Sequence, residues 1–368
     1  MKVTIVGPAY PIRGGIAHHS YLISKELKSA GHEVQLVSYK RLYPDLLFPG
    51  KSILDTSRTQ LSIGSTSLLD TLNPITWLKA RKLIQAFSPT LVLIEWWNPI
   101  LGPVVAFLSR WLRFAGVKCV IECHNVFPHE KTILDLPLTS IAFHPVTNFI
   151  THSRQDRETL LKYFSGEKIV RIAPLPSSGE LVSRSDSPRA GRTMLFFGFI
   201  RRYKGVDVLL EAMHKVTSKM ECRLILAGEF YDDQTRYIKL ISDYGLASRI
   251  ELHDGYVPTE EVSALFARAD VLIMPYLSAT QSGVATMAIE SGLPIIASAT
   301  GGLAEIVADN VNGLLVPPGD AKALADAILA YFERGLGPKL SANMSNNSPA
   351  ITKQSVVATL LEIADSSR

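Results

Sequence analysis

Short apolar runs alternate with longer segments of helical period along the whole of this 368-residue chain, and that alternation restricts it to α/β architectures with parallel sheets. The first half carries KVTIVG, EVQLVSY, TLVLIEWW, KCVIECH, NFITHS and KIVRIAPL; the second carries TMLFFGFI, CRLILAGE, RIELHDGY, VLIMPY, LPIIAS and GLLVPP. Between the first two runs, IAHHSYLISKELKSAG puts Ile23, Leu27 and Ala30 on one helical stripe and ends on Gly31, so this unit reads as β-α-β. The chain is too long for a single core, and two domains are expected. We place the first at 1–173, a linker rich in Ser, Pro, Gly and charge at 174–192, and the second at 193–345. Residues 346–368 end in an amphipathic segment with Val356, Leu360 and Ile363 on one face, expected to return to the first domain.

Composition narrows the function classes. No stretch reaches the roughly 20 unbroken apolar residues of a spanning helix, and the N-terminus enters a strand without the pattern of a secretory signal. A net charge of +4 falls short of a nucleic-acid footprint and suits a polyphosphate substrate or an anionic membrane surface. Cys119, Cys123 and Cys222 are odd in number and lie in or beside apolar runs, so they read as buried small hydrophobes in a reducing cytoplasm.

In doubly wound sheets, ligands sit beyond the carboxyl ends of the strands, so the loops there are the places to search. Gly14 and Gly15 precede a helix and would let a phosphate or sugar approach backbone N–H groups, or they form only a turn. Arg201, Arg202 and Lys204 lie between a strand and a helix, where three cations would share an anion such as a diphosphate, or else form a solvated loop. In SATQSGVATMAIESG, Ser282, Gly283 and Val284 can open a helix toward a phosphate, with Glu290 two turns on facing a ribose diol or simply lying on the helix surface. His124 ends a strand and is read either as a sugar contact or as a backbone-bonded histidine; His129 and Glu130 follow in the same loop. The segment 104–118, with Arg110, Trp111, Arg113 and Phe114, is either a basic aromatic face for anionic lipid or a helix packed on the sheet. No two aspartates are separated by one residue, and no GxGxxG, P-loop, H-E-x-x-H or G-x-S-x-G motif occurs.

Four stretches together resemble glycosyltransferase family 4: GPAYPIRGGIAHHSYLISKELKSAGHEV, FFGFIRRYKGVDVLLEAM, LHDGYVPTEEVSALFARADVLIMPY and AIESGLPIIASATGGLAEIVADNVNGLLVPPGD. The resemblance implies a GT-B architecture, with two Rossmann-like doubly wound domains facing across a cleft. It implies a retaining, metal-independent hexosyl transfer in glycan biosynthesis, with a nucleoside-diphosphate sugar as substrate, no cofactor and no nucleic acid. The acceptor would be a glycan, a lipid-linked molecule or a small molecule held by the first domain. The setting would be cytoplasmic, with peripheral contact at the inner membrane face as a further expectation. His124, Arg201 and Lys204 would be catalytic; Gly14, Gly15, Arg202, Gly255, Tyr256, Gln281, Ser282, Gly283, Val284 and Glu290 would hold the nucleotide sugar, with Gly255 and Tyr256 near the base. Two positions depart from the family pattern. Ser282 stands where the first glutamate of an E-x7-E pair is usual, in a TQSGV variant that resembles a subset of the family, and Phe199 stands where an arginine is usual. The missing glutamate leaves open a non-catalytic nucleotide-sugar-binding subunit or an epimerase on the same fold.

Overall fold

The computed structural model describes residues 1–43, 50–164, 166–177, 181–183, 191–344 and 355–366. Of the expected linker, 178–180 and 184–190 lie outside these residues, as do 345–354 of the expected C-terminal crossover. The elements run β1 (Lys2–Val6), α1 (Gly15–Ser29), β2 (Glu33–Arg41), β3 (Thr66–Asp70), α2 (Pro74–Phe87), β4 (Leu91–Trp96), α3 (Gly102–Phe114), β5 (Lys118–Cys123), α4 (Asp135–Phe143), β6 (Asn148–Thr151), α5 (Arg154–Tyr163) and β7 (Ile169–Ile172). They continue with β8 (Thr193–Phe197), α6 (Val206–Thr217), β9 (Arg223–Gly228), α7 (Gln234–Asp243), β10 (Ile250–Asp254), α8 (Thr259–Arg268), β11 (Val271–Met274), α9 (Gly283–Glu290), β12 (Ile295–Ser298), α10 (Leu303–Ile306), β13 (Gly313–Val316), α11 (Ala321–Glu333), α12 (Gly337–Asn343) and α13 (Val356–Asp365).

The chain divides into two compact units: Met1–Asp55, Gln60–Pro176 and Thr352–Arg368 form one, and Thr56–Thr59 with Ser177–Ile351 form the other. The first holds a seven-stranded sheet in the order β3-β2-β1-β4-β5-β6-β7 and the second a six-stranded sheet in the order β10-β9-β8-β11-β12-β13. All pairings between named strands are parallel. Each unit is therefore Rossmann-like, and its strand order reverses beside its first strand, at β1/β4 and at β8/β11. Loops diverge there and leave a crevice at the strand ends.

The strands are legible because helices cover both faces, so β4, β11 and β12 read as predominantly apolar runs and every residue in them is buried, Glu95 of β4 and Ser298 of β12 included. The edge strand β3 has no counterpart among the runs read from sequence. In TSLLD only Leu69 is fully buried, so it lacks the apolar density by which its neighbours are recognised. The segment 104–118 contains most of α3, which buries Val104, Val105, Leu108 and Leu112 and ends at Phe114; Lys118 already begins β5.

The last helix belongs to the core of the first unit. Val356, Val357, Leu360 and Ile363 of α13 pack with Ile23 and Leu27 of α1. Ser355 caps α13 through the Ala358 N–H at 3.1 Å and donates to Glu26 Oε1 at 2.6 Å. Lys118 Nζ donates to the Ile363 carbonyl at 2.9 Å, near the C-terminus of the same helix, where a cation is favoured.

Candidate active site

In the second unit, the ends of the adjacent strands β8 and β11 bring a buried cation against a helix start. After β8 the backbone turns at Gly198, where φ is +106° and a Cβ would lie 2.9 Å from Lys204 Nζ and 3.7 Å from Val284 Cγ2. Gly205, at φ +65°, packs so closely on the Pro275 carbonyl that a Cβ would stand 2.1 Å from its oxygen. These two absent side chains let the short 3-10 turn Arg202–Lys204 fold inward and tuck Lys204 beside the Tyr276 ring, 5.4 Å from its centroid. Burial, then the nearby Arg201, lowers the Lys204 pKa to about 7, and no carboxylate lies within ion-pair distance of it among the described residues. An ammonium in that position is a buried charge without a carboxylate to compensate it among the described residues.

Ser282 caps α9, its Oγ accepting from the Ala285 N–H at 3.3 Å. Gly283 and Val284 open the helix, where backbone N–H groups have no intrahelical carbonyl, and Glu290 closes it. Burial, then the neighbouring Tyr203, pushes the Tyr276 hydroxyl far above its usual pKa, although a hydrogen bond with Ser282 opposes this. Gln281 Oε1 is buried without a hydrogen-bond partner. Phe199 lies 4.4 Å from the Tyr231 ring, centroid to centroid, and the Arg201 guanidinium sits 4.9 Å from that ring. Arg202 is exposed. Gly255, at φ +149°, and Tyr256 follow the edge strand β10, two strands from β8.

In the first unit, the structure gathers a cluster that sequence reasoning saw only through His124. Gly14, at φ +112°, and Gly15 lead into α1, whose His19 is drawn together with Glu95 of β4, Glu122 of β5, His124 after β5 and His152 after β6. His19 Nε2–H donates to Glu122 Oε1 at 2.8 Å, and His124 Nε2 and Glu95 Oε2 are 2.5 Å apart. Ser20 Oγ donates a long hydrogen bond of 3.5 Å to Glu95 Oε1. His152 donates through Nδ1 to the Ala173 carbonyl at 2.9 Å and brings Nε2 to 3.3 Å from Glu122 Oε1. His152 Nε2 and Glu122 Oε2 are buried without a hydrogen-bond partner. The signal available in sequence was an ionisable residue inside or just beyond an apolar run, as in LVLIEW, KCVIECH and NFITHS.

Electrostatics sorts these groups. Burial opposes charge on His19, yet Glu122 and Glu95 outweigh it and lift His19 to about 9. Burial would raise Glu122, but the charge of His19 and its hydrogen bond, with His152 and His124, pull it down to about 2. Burial and then the charge of Glu122 hold Glu95 well above the carboxylate range. Burial keeps His124 and His152 neutral, each lowered to about 3, with the charge of His19 pushing the same way. One ion pair, His19–Glu122, therefore lies beside a neutral pair, Glu95–His124. His19, His124 and His152 offer nitrogens within 4.8 Å of one another, a spacing a divalent cation can bridge, but those of His19 and His124 are taken up by carboxylates.

Known proteins were compared with this chain. Residues 13–174 match the family model for Glycosyltransferase Family 4, and residues 191–334 match that for Glycosyl transferases group 1. The phosphatidyl-myo-inositol mannosyltransferase of Mycobacterium leprae is 24% identical over 347 residues, 90% of this chain and 87% of that protein. Sucrose-phosphate synthase from Thermosynechococcus elongatus superposes with a TM-score of 0.76 at 20% identity, covering 98% of this chain and 97% of that one. Anabaena HepE in complex with UDP-glucose superposes with a TM-score of 0.77 at 17% identity, covering 99% and 100%. With both units matched by glycosyltransferase models and both sheets in Rossmann order, the chain belongs to glycosyltransferase family 4 and has the GT-B fold.

Proposed function

We propose that this glycosyltransferase moves a hexosyl unit from a nucleoside-diphosphate sugar to a glycan, lipid-linked or small-molecule acceptor, with retention of configuration and without a metal. The observation that carries the reading is Lys204, a buried cation without a carboxylate partner where β8 and β11 diverge, beside the opening of α9. A diphosphate supplies the missing negative charge. As its bond to the sugar breaks, charge grows on the leaving phosphate, and Lys204, Arg201 and the N-terminus of α9 stabilise that charge most in the transition state. We assign Glu290 to the ribose diol, Gly255 and Tyr256 to the base, and Arg202, Gln281, Ser282, Gly283 and Val284 to the rest of the nucleotide sugar. In the first unit, Gly14 and Gly15 are assigned to the phosphates and His124 to the transferred sugar. The leaving phosphate takes the acceptor proton, so no enzymic nucleophile is required. The TQSGV sequence is read as a variant of the sugar-nucleotide site in which Ser282 caps α9.

A thermal-shift panel of UDP-glucose, GDP-mannose, ADP-glucose and dTDP-glucose tests this. A ligand present at about 100 times its dissociation constant adds about 2.7 kcal/mol to the folded state, so at least one should raise the melting midpoint by several degrees. Glu290→Ala should remove most of that rise. If no nucleotide sugar shifts the midpoint, or the variant responds like the parent, the assignment fails. Release of nucleoside diphosphate with an acceptor present then separates a transferase from a binding subunit, and isomerised sugar without an acceptor would mark an epimerase.

The lipid-linked acceptor rests on α3, whose outer side presents Arg110, Arg113 and a Phe114 that is 85% exposed, while Trp111 is only partly so. Among the described residues, no helix is long and apolar enough to cross a membrane. We therefore propose peripheral contact with an anionic surface at the cytoplasmic face. Co-sedimentation should rise with the anionic lipid content of vesicles and fall in Phe114→Ser; sedimentation that ignores lipid charge would remove the idea.

A further inference from the structure

We propose that Glu95 is the positioning residue of His124: its carboxylic acid donates to His124 Nε2 and so fixes the imidazole in the tautomer that carries its proton on Nδ1. The proposal rests on the assignment of His124 to the transferred sugar, and adds which face of the ring is presented and what sets it.

The geometry makes the pair unusually constrained. His124 Nε2 and Glu95 Oε2 stand 2.5 Å apart, with the carboxyl fully buried. The other oxygen of Glu95 accepts from Ser20 Oγ, which settles which oxygen faces which neighbour. Gly7 approaches both side chains so closely that a Cβ there would stand 2.5 Å from Glu95 Cγ and 2.9 Å from Ser20 Oγ. The backbone of His124 is anchored as well, its N–H donating to the Trp96 carbonyl at 2.9 Å. The acid thus lies within β4, and the imidazole follows directly on β5, the strand paired with it.

Charge decides the direction of the hydrogen bond. The groups around Glu95 are Ser20 and His19 from α1, Glu122 from β5, His124 beyond β5 and Tyr39 from β2. His152, after β6, completes the set on the far side of Glu122. Two carboxyls share this dry space with one cation, His19, whose Nε2 is hydrogen-bonded to Glu122 at 2.8 Å and stands 4.0 Å from Glu95 Oε1. A second carboxylate would leave two buried negative charges to share that one cation, so Glu95 keeps its proton. The only acceptor 2.5 Å away is His124 Nε2. The ring's single proton is then on Nδ1, across the ring from Glu95.

The test reads the tautomer directly. The full-length chain, labelled with 15N at histidine, is examined by long-range proton–nitrogen correlation at pH 7, with His124 assigned by its loss in His124→Gln. Nδ1–H on His124 is expected in the parent and a mixture in Glu95→Ala. In parallel, hydrolysis of UDP-glucose and GDP-mannose is followed by nucleoside diphosphate release. Glu95→Ala should lower kcat by about 100-fold with KM within about twofold. Glu95→Gln should recover most of that loss, because its carboxamide oxygen can keep Ser20 while its NH2 donates to Nε2. A protonated Nε2 in the parent, a Glu95→Gln variant no better than Glu95→Ala, or one equivalent of a transition metal in the purified chain by mass spectrometry would each overturn the proposal. If neither sugar nucleotide is hydrolysed, the tautomer measurement decides this proposal, and the functional reading is decided by the thermal-shift panel and by diphosphate release with an acceptor. If Glu95→Ala does not fold, the parent spectrum and Glu95→Gln decide.

Discussion

Lys204→Met is expected to abolish nucleotide-sugar turnover, by about three orders of magnitude, while making the unliganded protein more stable. The first effect follows from removing the buried cation that faces the leaving phosphate. The second follows from linkage. Burial lowers the Lys204 pKa from 10.5 to about 7, so between those values the unfolded chain binds a proton that the folded chain does not. The lysine therefore costs stability, fully below pH 7, and the cost fades as pH rises toward 10.5. Methionine fills a similar volume without the charge. At pH 6 its gain should reach roughly 2–4 kcal/mol, and it should shrink to nothing near pH 10.5. Denaturant titrations of both proteins across that range would check it. A variant less stable than the parent at pH 6, or one that keeps turnover, contradicts the role given to Lys204.

His19→Leu should have the largest effect on stability, a loss of about 3–5 kcal/mol, because it leaves Glu122 buried and charged without its partner. His19 is 5% exposed and Glu122 fully buried, so solvent does not screen the pair. The pH dependence has a definite sign. The His19 pKa is raised from 6.5 to about 9, so its contribution is complete below pH 6.5 and is lost as pH rises through 9. Glu122 is lowered to about 2, so its contribution holds above 4.5 and is lost as pH falls through 2. Glu95, held protonated, adds a further loss on the alkaline side. His124 and His152, held neutral down to about 3, erode stability as pH falls below 6.5. The first unit should accordingly be most stable near the ordinary histidine pKa, whereas Lys204 gives the second unit the opposite trend above pH 7. Calorimetry should show the parent–variant difference shrinking between pH 6.5 and 9; a loss under about 1 kcal/mol would mean the pair behaves like a surface bridge. The double variant His19→Leu with Glu122→Leu should regain part of the loss, since it removes the stranded charge.

The α/β class was legible because parallel strands covered on both faces must be largely apolar, as VLIM is throughout and LVLIEW is at every position but Glu95. The edge strand β3 was not, since an exposed TSLLD has no such requirement. Most candidate residues of the second unit could be read because they fall in two contiguous segments, around Lys204 and Ser282, where cations, glycines and a helix start are neighbours in sequence; Gly255 and Tyr256 lie in a third, after β10. The histidine–glutamate cluster of the first unit defeated that kind of reading. His19, Glu95, Glu122 and His152 come from separate segments, and each alone resembles a polar residue at the end of an element. Only strand order, which sets β4, β5 and β6 side by side, turns them into one group.

The placement of α13 against α1 also bears on how the polypeptide matures. The apolar stripe of α1, including Ile23 and Leu27, is closed over by Val356, Val357, Leu360 and Ile363. A ribosome delivers those covering residues only after the second unit has been made. The N-terminal half must therefore wait, with part of its interior uncovered, until the second unit has been synthesised, and the nascent chain is most exposed to aggregation during that interval.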